Sequence, residues 1–426
     1  MVKMPKEVNK IVKTLEGAGF EAFVFGDCVR DSLLGKDFFG WDIATSATGE
    51  EICAIFPEGK VVNEKFSILR LEYIDEILDE NGDFAGEEGI IVDIVPYRGE
   101  KNIEAQLERK DFTINAIADS PNRIVDPYHG REDIKSKLLR TVGDADKQFA
   151  ENPIQMMRAM RYAGEYGFDL HRSVYEAICK HYMLLDTVKR ETLRDEWIAL
   201  MGSDFAGKAL SMVMDTGTLN VILGEDAVAH LSKREMSDLT VLCQNIDKTQ
   251  TVAERRLGLF YSVIDKKRAL PSVEKMKYDD ELRLHLEDAV LDMAKLYFVA
   301  RKPELKKFIY NKGWDRYNYM ASLEKAQRIV FDYFNETKIK SKMYLLDEIK
   351  MYREPIFEDD LAIDGNDLME AGICKTSEDA AKMLKMLVEE LHVHPKKNTR
   401  NELFALAKKY KAFKPLAWTR GIHWIR

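Results

Sequence analysis

The sequence predicts a mixed α/β head over residues 1 to about 145, followed by an all-α remainder. Short β-rich runs, EAFVFG, KVVNEKFSILRLEYI and GIIVDIVPYR, alternate with helical segments and stop near Val142. Beyond that point apolar residues recur at three- and four-residue intervals, as in FAENPIQMMRAMRYAGEYGF and DAAKMLKMLVEELHV, with breaks at Gly167-Phe168 and Lys302-Pro303. The length of 426 residues exceeds one compact core, and a prior of about 100–200 residues per domain gives two to four domains.

In order along the chain, MVKMPKEVNKIVKTL places Val8, Ile11, Val12 and Leu15 at helical spacing with charges between them. It has neither an apolar signal core nor a small-residue cleavage site, so it reads as a first helix, with the cytosol as the default compartment. No internal repeat or low-complexity tract interrupts the rest of the chain. The interior boundaries fall near residues 145, 205 and 340, giving segments 1–145, 146–205, 206–340 and 341–426. Hydrophobic residues make up 46% and charged residues 32%, a globular balance, and no run reaches the roughly 18–20 apolar residues that would span a bilayer. The five cysteines are odd in number, widely spaced and without a C-x-x-C pair, which favours reduced, structural thiols over a zinc or redox site.

The net charge of −9 hides one basic stretch. From Leu391 onward there are nine Lys or Arg residues (Lys396, Lys397, Arg400, Lys408, Lys409, Lys411, Lys414, Arg420 and Arg426) against one acid, Glu402. Phe404, Tyr410, Phe413, Trp418 and Trp424 are interleaved among them. Cations that neutralise phosphates and rings that stack bases are one reading; rings that pack a terminal helix are the other.

In FVFGDCVRDSLLG (23–35) an apolar strand runs into a glycine turn and a helix beginning near Cys28, so backbone N–H groups face the space above the turn. Such a turn suits a triphosphate, though many strand-turn-helix units contain one glycine. The DIATSA stretch (42–47) makes the pattern specific. At Gly26, Val29, Arg30, Asp31, Leu33, Leu34, Gly35 and Asp42 to Ala47 the chain resembles the class II nucleotidyltransferase family, the CCA-adding tRNA nucleotidyltransferases and bacterial poly(A) polymerases. The likeness continues through LERKDFTINAIAD (107–119), VDPYHGREDIKSKLLRTVGD (125–144), ENPIQMMRAMRYAGEYGF (151–168) and EPIFEDDLAIDGNDLMEAGI (354–373).

The resemblance implies a polymerase-β-like mixed sheet in the head, then a helical neck, body and tail that hold RNA, with tRNA first among the candidates. It implies catalytic, Mg2+-binding carboxylates at Asp42 and Asp93, and nucleotide contacts for ATP or CTP at Gly26, Arg30, Asp31, Arg109, Asp111, Asn115, Asn152, Gln155, Arg158 and Arg161. RNA contacts are expected at Lys396, Lys397, Arg400, Lys408, Lys409 and Lys411.

Several positions depart from the family pattern. Transfer of this kind uses two metals between closely spaced carboxylates, and an Asp-x-Asp pair on one strand would supply two of them. Here the tripeptide is Gly40-Trp41-Asp42, so Mg2+ is expected to bind weakly. Asp27 and Asp37 are the nearby acids that would have to compensate. The Asp and Arg that read the base edge are Asn152 and Gln155, which replace charge-assisted hydrogen bonds worth about 1.5–3 kcal/mol each with neutral ones near 1. Asn152 also reads as a helix-start cap before Pro153, and Asp111 as a helix N-terminal acid. Only twelve residues separate Arg98 from Asp111, a short version of a loop that rearranges in the family. In RLGLFYSVIDKK (256–267), Ser262-Val263 stands where a metal-binding His-Asp pair would be, leaving His285 alone. Two readings result: an RNA-binding member with impaired or lost transfer, or an active Mg2+-dependent enzyme adding CCA or A residues to RNA 3′ ends.

Overall fold

The head is built on a seven-stranded mixed sheet. Its strands are β1 (Ala22–Phe25), β2 (Gly40–Thr45), β3 (Lys60–Asn63), β4 (Ile68–Leu78), β5 (Phe84–Pro96), β6 (Ala118–Asp119) and β7 (Ile124–Val125), in the spatial order β3-β4-β5-β2-β1-β6-β7. Only β2 and β5 run parallel. The computed structural model describes residues 2–36, 38, 40–78, 84–97, 99, 102–332 and 334–417, and the chain divides into two compact units, Met1–His230 and Leu231–Arg426.

Period-two alternation sends alternate side chains of each strand to opposite faces. Ala22, Val24, Trp41, Ile43, Leu69, Leu71, Val92 and Ile94 enter one core, which α1 (Lys6–Gly17) covers with Val8, Ile11, Val12 and Leu15 as their spacing predicts. Phe23, Phe25, Ala44, Val95, Ile103 and Leu107 enter the other. Asp42 and Asp93 alternate with the first set, so both carboxylates lie on the second face, in register with each other across β2 and β5.

The remaining helices of this unit are α2 (Asp27–Leu34), α3 (Gly49–Ile55), α4 (Ile103–Glu108), α5 (Gly130–Ser136), α6 (Ala145–Glu151), α7 (Ile154–Tyr166), α8 (Arg172–His181), α9 (Arg190–Met201), α10 (Ala206–Asp215) and α11 (Leu219–Leu223). α4 occupies six residues of the stretch between Pro96 and Asp111, where a shortened loop was the expectation; Arg98 itself lies outside the described residues. A short ladder corrects the wholly helical reading of the chain after residue 145. β8 (Leu138–Leu139) pairs in parallel with β9 (Asp169–Leu170), and these two-residue strands tie the end of the head to the turn after α7.

The second unit is helical throughout its described residues: α12 (Lys233–Asn245), α13 (Ala253–Ser262), α14 (Lys266–Lys275), α15 (Asp280–Leu291), α16 (Met293–Phe298), α17 (Lys302–Lys312), α18 (Trp314–Val330), α19 (Glu336–Met351), α20 (Gly365–Glu370), α21 (Ser377–Val393) and α22 (Arg400–Ala417). Among the described residues no helix is long and apolar enough to cross a membrane. Burial pushes the Cys28 thiol up to about 12, which keeps it protonated and suits a structural role for that residue.

Candidate functional site

The turn from β1 into α2 has the geometry that its sequence suggests. Gly26 sits at φ 79°, where a side chain is strained, and an added Cβ would stand 2.8 Å from Lys110 Nζ. From there α2 delivers Arg30, 4% exposed, whose guanidinium donates to both oxygens of Asp31 at 2.8 Å and to Asn115 Oδ1 at 2.6 Å. Tyr162 and Tyr166 of α7 lie under it, 5.0 and 4.9 Å from ring centre to guanidinium carbon. Asp27 completes the group at 3.1 Å from Arg30.

These groups border a polar cavity of about 500 Å³ lined by Asp27, Arg109, Lys110, Asp111, Asn115, Asn152, Gln155, Arg158, Arg161, Tyr162 and Glu196. Seven of the ten positions expected to contact a nucleotide therefore open onto one space, while Gly26, Arg30 and Asp31 stand behind its lining, next to Lys110 and Asn115. Asp111 is fixed from three sides, accepting from its neighbour Phe112 N–H, from Asn115 Nδ2 and from Arg158, at 2.9, 2.9 and 3.0 Å. Arg158 and Arg161, three residues apart on α7, both reach Glu196 of α9, at 3.4 and 2.6 Å. Asn152 ends α6 through its backbone, N–H to Gln148 O at 2.8 Å, while Pro153 precedes α7. Its exposed side chain thus faces the cavity instead of capping the helix start. Gln155 presents a buried Oε1 that has no hydrogen-bond partner, an acceptor in want of a donor such as an exocyclic base amine.

Asp42 and Asp93 belong to a second, smaller cleft, with Gly40, Trp41, Arg70 and Ile91. Arg70 lies opposite Asp93 in the antiparallel β4–β5 ladder and grips both its oxygens, Nε to Oδ1 at 2.7 Å and Nη2 to Oδ2 at 2.8 Å. Asp42 is pushed up to about 6, first by burial and then by the charges of Asp27 and Asp93, against the pull of Lys110 and Arg70. Burial and the two like charges thus outweigh the two cations. Asp27 adds to that repulsion and is itself paired with Arg30, so it is no substitute for the missing acid. Asp37 lies outside the described residues.

The donor set does not fit a pair of Mg2+ ions. Gly40 contributes no side-chain oxygen, Asp93 is engaged by Arg70, and among the described residues no group of three or more His, Cys, Asp and Glu side chains is placed to hold a metal. One ion between Asp42 and Asp93 would have to displace the Arg70 guanidinium.

Lys110, Glu196, Tyr162 and Arg70 were not among the residues expected to form the site. Lys110 lies between Arg109 and Asp111 and could have been read from that motif; its ammonium rests 4.4 Å from the Phe25 ring centre and faces Gly26. Arg70 and Glu196 become neighbours only through long-range pairing.

In the second unit Lys397 pairs with Glu390 at 2.9 Å, Arg400 with both oxygens of Asp367, and Lys411 donates to Gly372 O at 2.7 Å. Lys396, Lys408 and Lys409 are exposed. Phe404 and Tyr410 pack against the core that α21 and α22 share, and the Tyr410 hydroxyl donates to Glu390 at 3.1 Å. For these two rings packing is the observed role. Trp418, Arg420, Trp424 and Arg426, and the side chains of Phe413 and Lys414, lie outside what is described. His285 is 4% exposed, stacked on Tyr319 with ring centres 4.3 Å apart and bonded to Glu254 and Asp315, so it is a packed histidine.

Residues 22–140 match the poly A polymerase head domain. A CCA-adding enzyme of Geobacillus stearothermophilus is 36% identical over 224 residues, 51% of this chain and 54% of that protein. A CC-adding tRNA nucleotidyltransferase of Shouchella clausii is 35% identical over 216 residues, 50% and 53% of the two chains. The chain thus spans about half the length of the curated relatives it matches. The crystal structure of the Bacillus stearothermophilus CCA-adding enzyme in complex with CTP superposes with a TM-score of 0.74 at 24% identity, covering 97% of this chain and 99% of that one, a likeness of fold. The head-domain match over residues 22–140, the relatives matched over about half of the chain and the likeness of fold together support the class II nucleotidyltransferase family.

Proposed function

We propose that this chain is a cytoplasmic RNA-binding member of its family, with tRNA as the RNA, and that its nucleotidyl transfer is impaired or lost. The observation that carries the reading is the Arg70–Asp93 pair beside Gly40: one carboxylate is absent, one is neutralised by an arginine, and the third, Asp42, is pushed up to about 6 chiefly by burial. Removing an outer partner of a metal ligand already costs roughly 10–100-fold in affinity or activity, and here a ligand itself is gone. Mg2+ binding is therefore weak.

The larger cavity supports retention of a nucleotide. Lys110, Arg109, Arg158 and Arg161 supply cations for a triphosphate such as that of ATP or CTP, and Asn152 and Gln155 supply neutral amides for the base edge. Selection between bases is blurred, because neither amide carries a charge. In this proposal the head is 1–145, the nucleotide-facing neck 146–205, the body 206–340 and the RNA-holding tail 341–426. Lys396, Lys408 and Lys409 provide the tail's exposed cations, with Lys397, Arg400 and Lys411 joining when their internal partners are exchanged for phosphates.

The intact Arg30, Asn115, Asp111 and Arg158 network favours a second reading, an active enzyme that adds CCA or A residues. Incubation of the purified protein with labelled tRNA lacking CCA, each NTP and Mg2+ or Mn2+, beside a gel-shift titration of the same tRNA, separates the two. Saturable binding with slow, poorly selective extension supports the first reading. Rapid extension with CTP and then ATP establishes the second, and absence of tRNA binding refutes both.

A further inference from the structure

The stretch around Ser262-Val263, where the sequence has no metal-binding pair, borders a cavity of about 720 Å³ within the helical unit. That is the size of a small-molecule site. Ser262 Oγ donates to Leu259 O at 2.9 Å, so its single proton is used, and it accepts Nε2 of Gln327 at 3.1 Å. The amide orientation of Gln327 is thereby fixed. Its Oε1 is left buried without a partner, on a residue only 5% exposed. A buried carbonyl with no donor is unfavourable and is normally satisfied by protein, water or ligand.

The rest of the lining says what kind of ligand. Tyr297 lies edge-on to Phe298 and to Phe334, each at 5.3 Å between ring centres, and Phe298 is 70% exposed. Lys338 Nζ stands over one face of the Phe298 ring, 4.9 Å from its centre, and the other face is the one open to stacking. The carboxylates of the lining are already engaged: Glu235 with Arg268, Ser232 and the Asp265 N–H, Asp238 with Arg234 at 3.5 Å, and Asp265 with the Lys267 N–H at 2.9 Å. A flat ligand that stacks on Phe298 and donates one N–H to Gln327 Oε1 fits these features together.

We infer that this cavity in the helical unit is a nucleobase site, separate from the one in the head, which takes a base carrying an exocyclic amine. Two sources share that chemistry, a free nucleoside and an unstacked base of a bound RNA.

The test is calorimetric titration of adenosine into the full chain, with purine riboside, which lacks the exocyclic amine, as the control. Gln327→Met removes the acceptor and Phe298→Ala the stacking face; the second residue is exposed, so its loss leaves the core intact. Adenosine is expected to bind wild type about tenfold more tightly than purine riboside does, and each substitution is expected to weaken adenosine by about fivefold or more. An RNA oligonucleotide with one unpaired adenine serves as competitor. Displacement of adenosine in wild type assigns the site to an RNA base, and its absence assigns it to the free nucleoside. No saturable adenosine binding by wild type, or equal binding by wild type and both variants, overturns the proposal.

Discussion

Replacing Asp42 by asparagine should stabilise the protein at neutral pH and leave its stability unchanged in mild acid. Asp42 titrates near 6 in the folded chain against an ordinary 3.8, chiefly because it is buried. The folded state therefore holds its proton more tightly than the unfolded state does. Stability associated with this group is fully present below about pH 4 and is lost as pH rises through 6. One pH unit corresponds to about 1.4 kcal/mol, so the gap between 3.8 and about 6 makes the ionised carboxylate cost the fold roughly 3 kcal/mol at pH 7. An asparagine of the same shape removes the charge and recovers part of that, on the order of 1–3 kcal/mol after its own amide is desolvated. Urea titrations of wild type and Asp42→Asn at pH 7 and at pH 4 measure the difference directly. A higher midpoint for the variant at pH 7 that disappears at pH 4 is the expected outcome. An equal difference at both values, or destabilisation at pH 7, would mean that a neighbouring cation stabilises the Asp42 charge and would refute the reasoning.

Gly40→Asp should fit without strain, since an added Cβ meets only Ile91 O at 3.6 Å. Calorimetry should show tighter Mg2+-dependent ATP binding for it, while ordered CCA addition stays absent because Asn152 and Gln155 are unchanged. Gly26→Ala should lower both stability, by about 1 kcal/mol or more for a positive φ, and ATP affinity, because its methyl group displaces the Lys110 ammonium; urea titration and calorimetry on one preparation check both. Replacing Lys408 and Lys409 by glutamate should weaken tRNA binding and flatten its salt dependence by about one to two units of slope, as filter binding across a salt series would reveal.

Much of the site was legible because it is local. The apolar positions of the first helix, the strand, turn and helix around Gly26, and the spacing that turns Asn152, Gln155, Arg158 and Arg161 toward one cavity follow from periods of two and 3.6 residues. What escaped the sequence depends on register. Arg70 meets Asp93 only when the β4–β5 hairpin pairs as it does, and nothing near Arg70 in the chain specifies that alignment. Glu196 reaches Arg158 and Arg161 through the packing of α9 on α7. The ladder at Asp169–Leu170 has no local signal, because two residues are too few to alternate and their pairing to Leu138–Leu139 supplies the structure. Gln327 looks like any helix-surface glutamine until Ser262 is found to use its proton on Leu259.

The central claim is that transfer is limited by a carboxylate set that Gly40 depletes and Arg70 occupies. Single-turnover extension of tRNA lacking CCA, measured over a range of Mg2+ concentrations, tests it most directly when wild type is run beside the Gly40→Asp, Arg70→Ala double variant. Slow incorporation by wild type at every Mg2+ concentration, with an increase of about tenfold or more in the double variant, is the predicted result. Rapid wild-type extension in the order CTP then ATP, saturating at low Mg2+ and reduced by the double substitution, would contradict it.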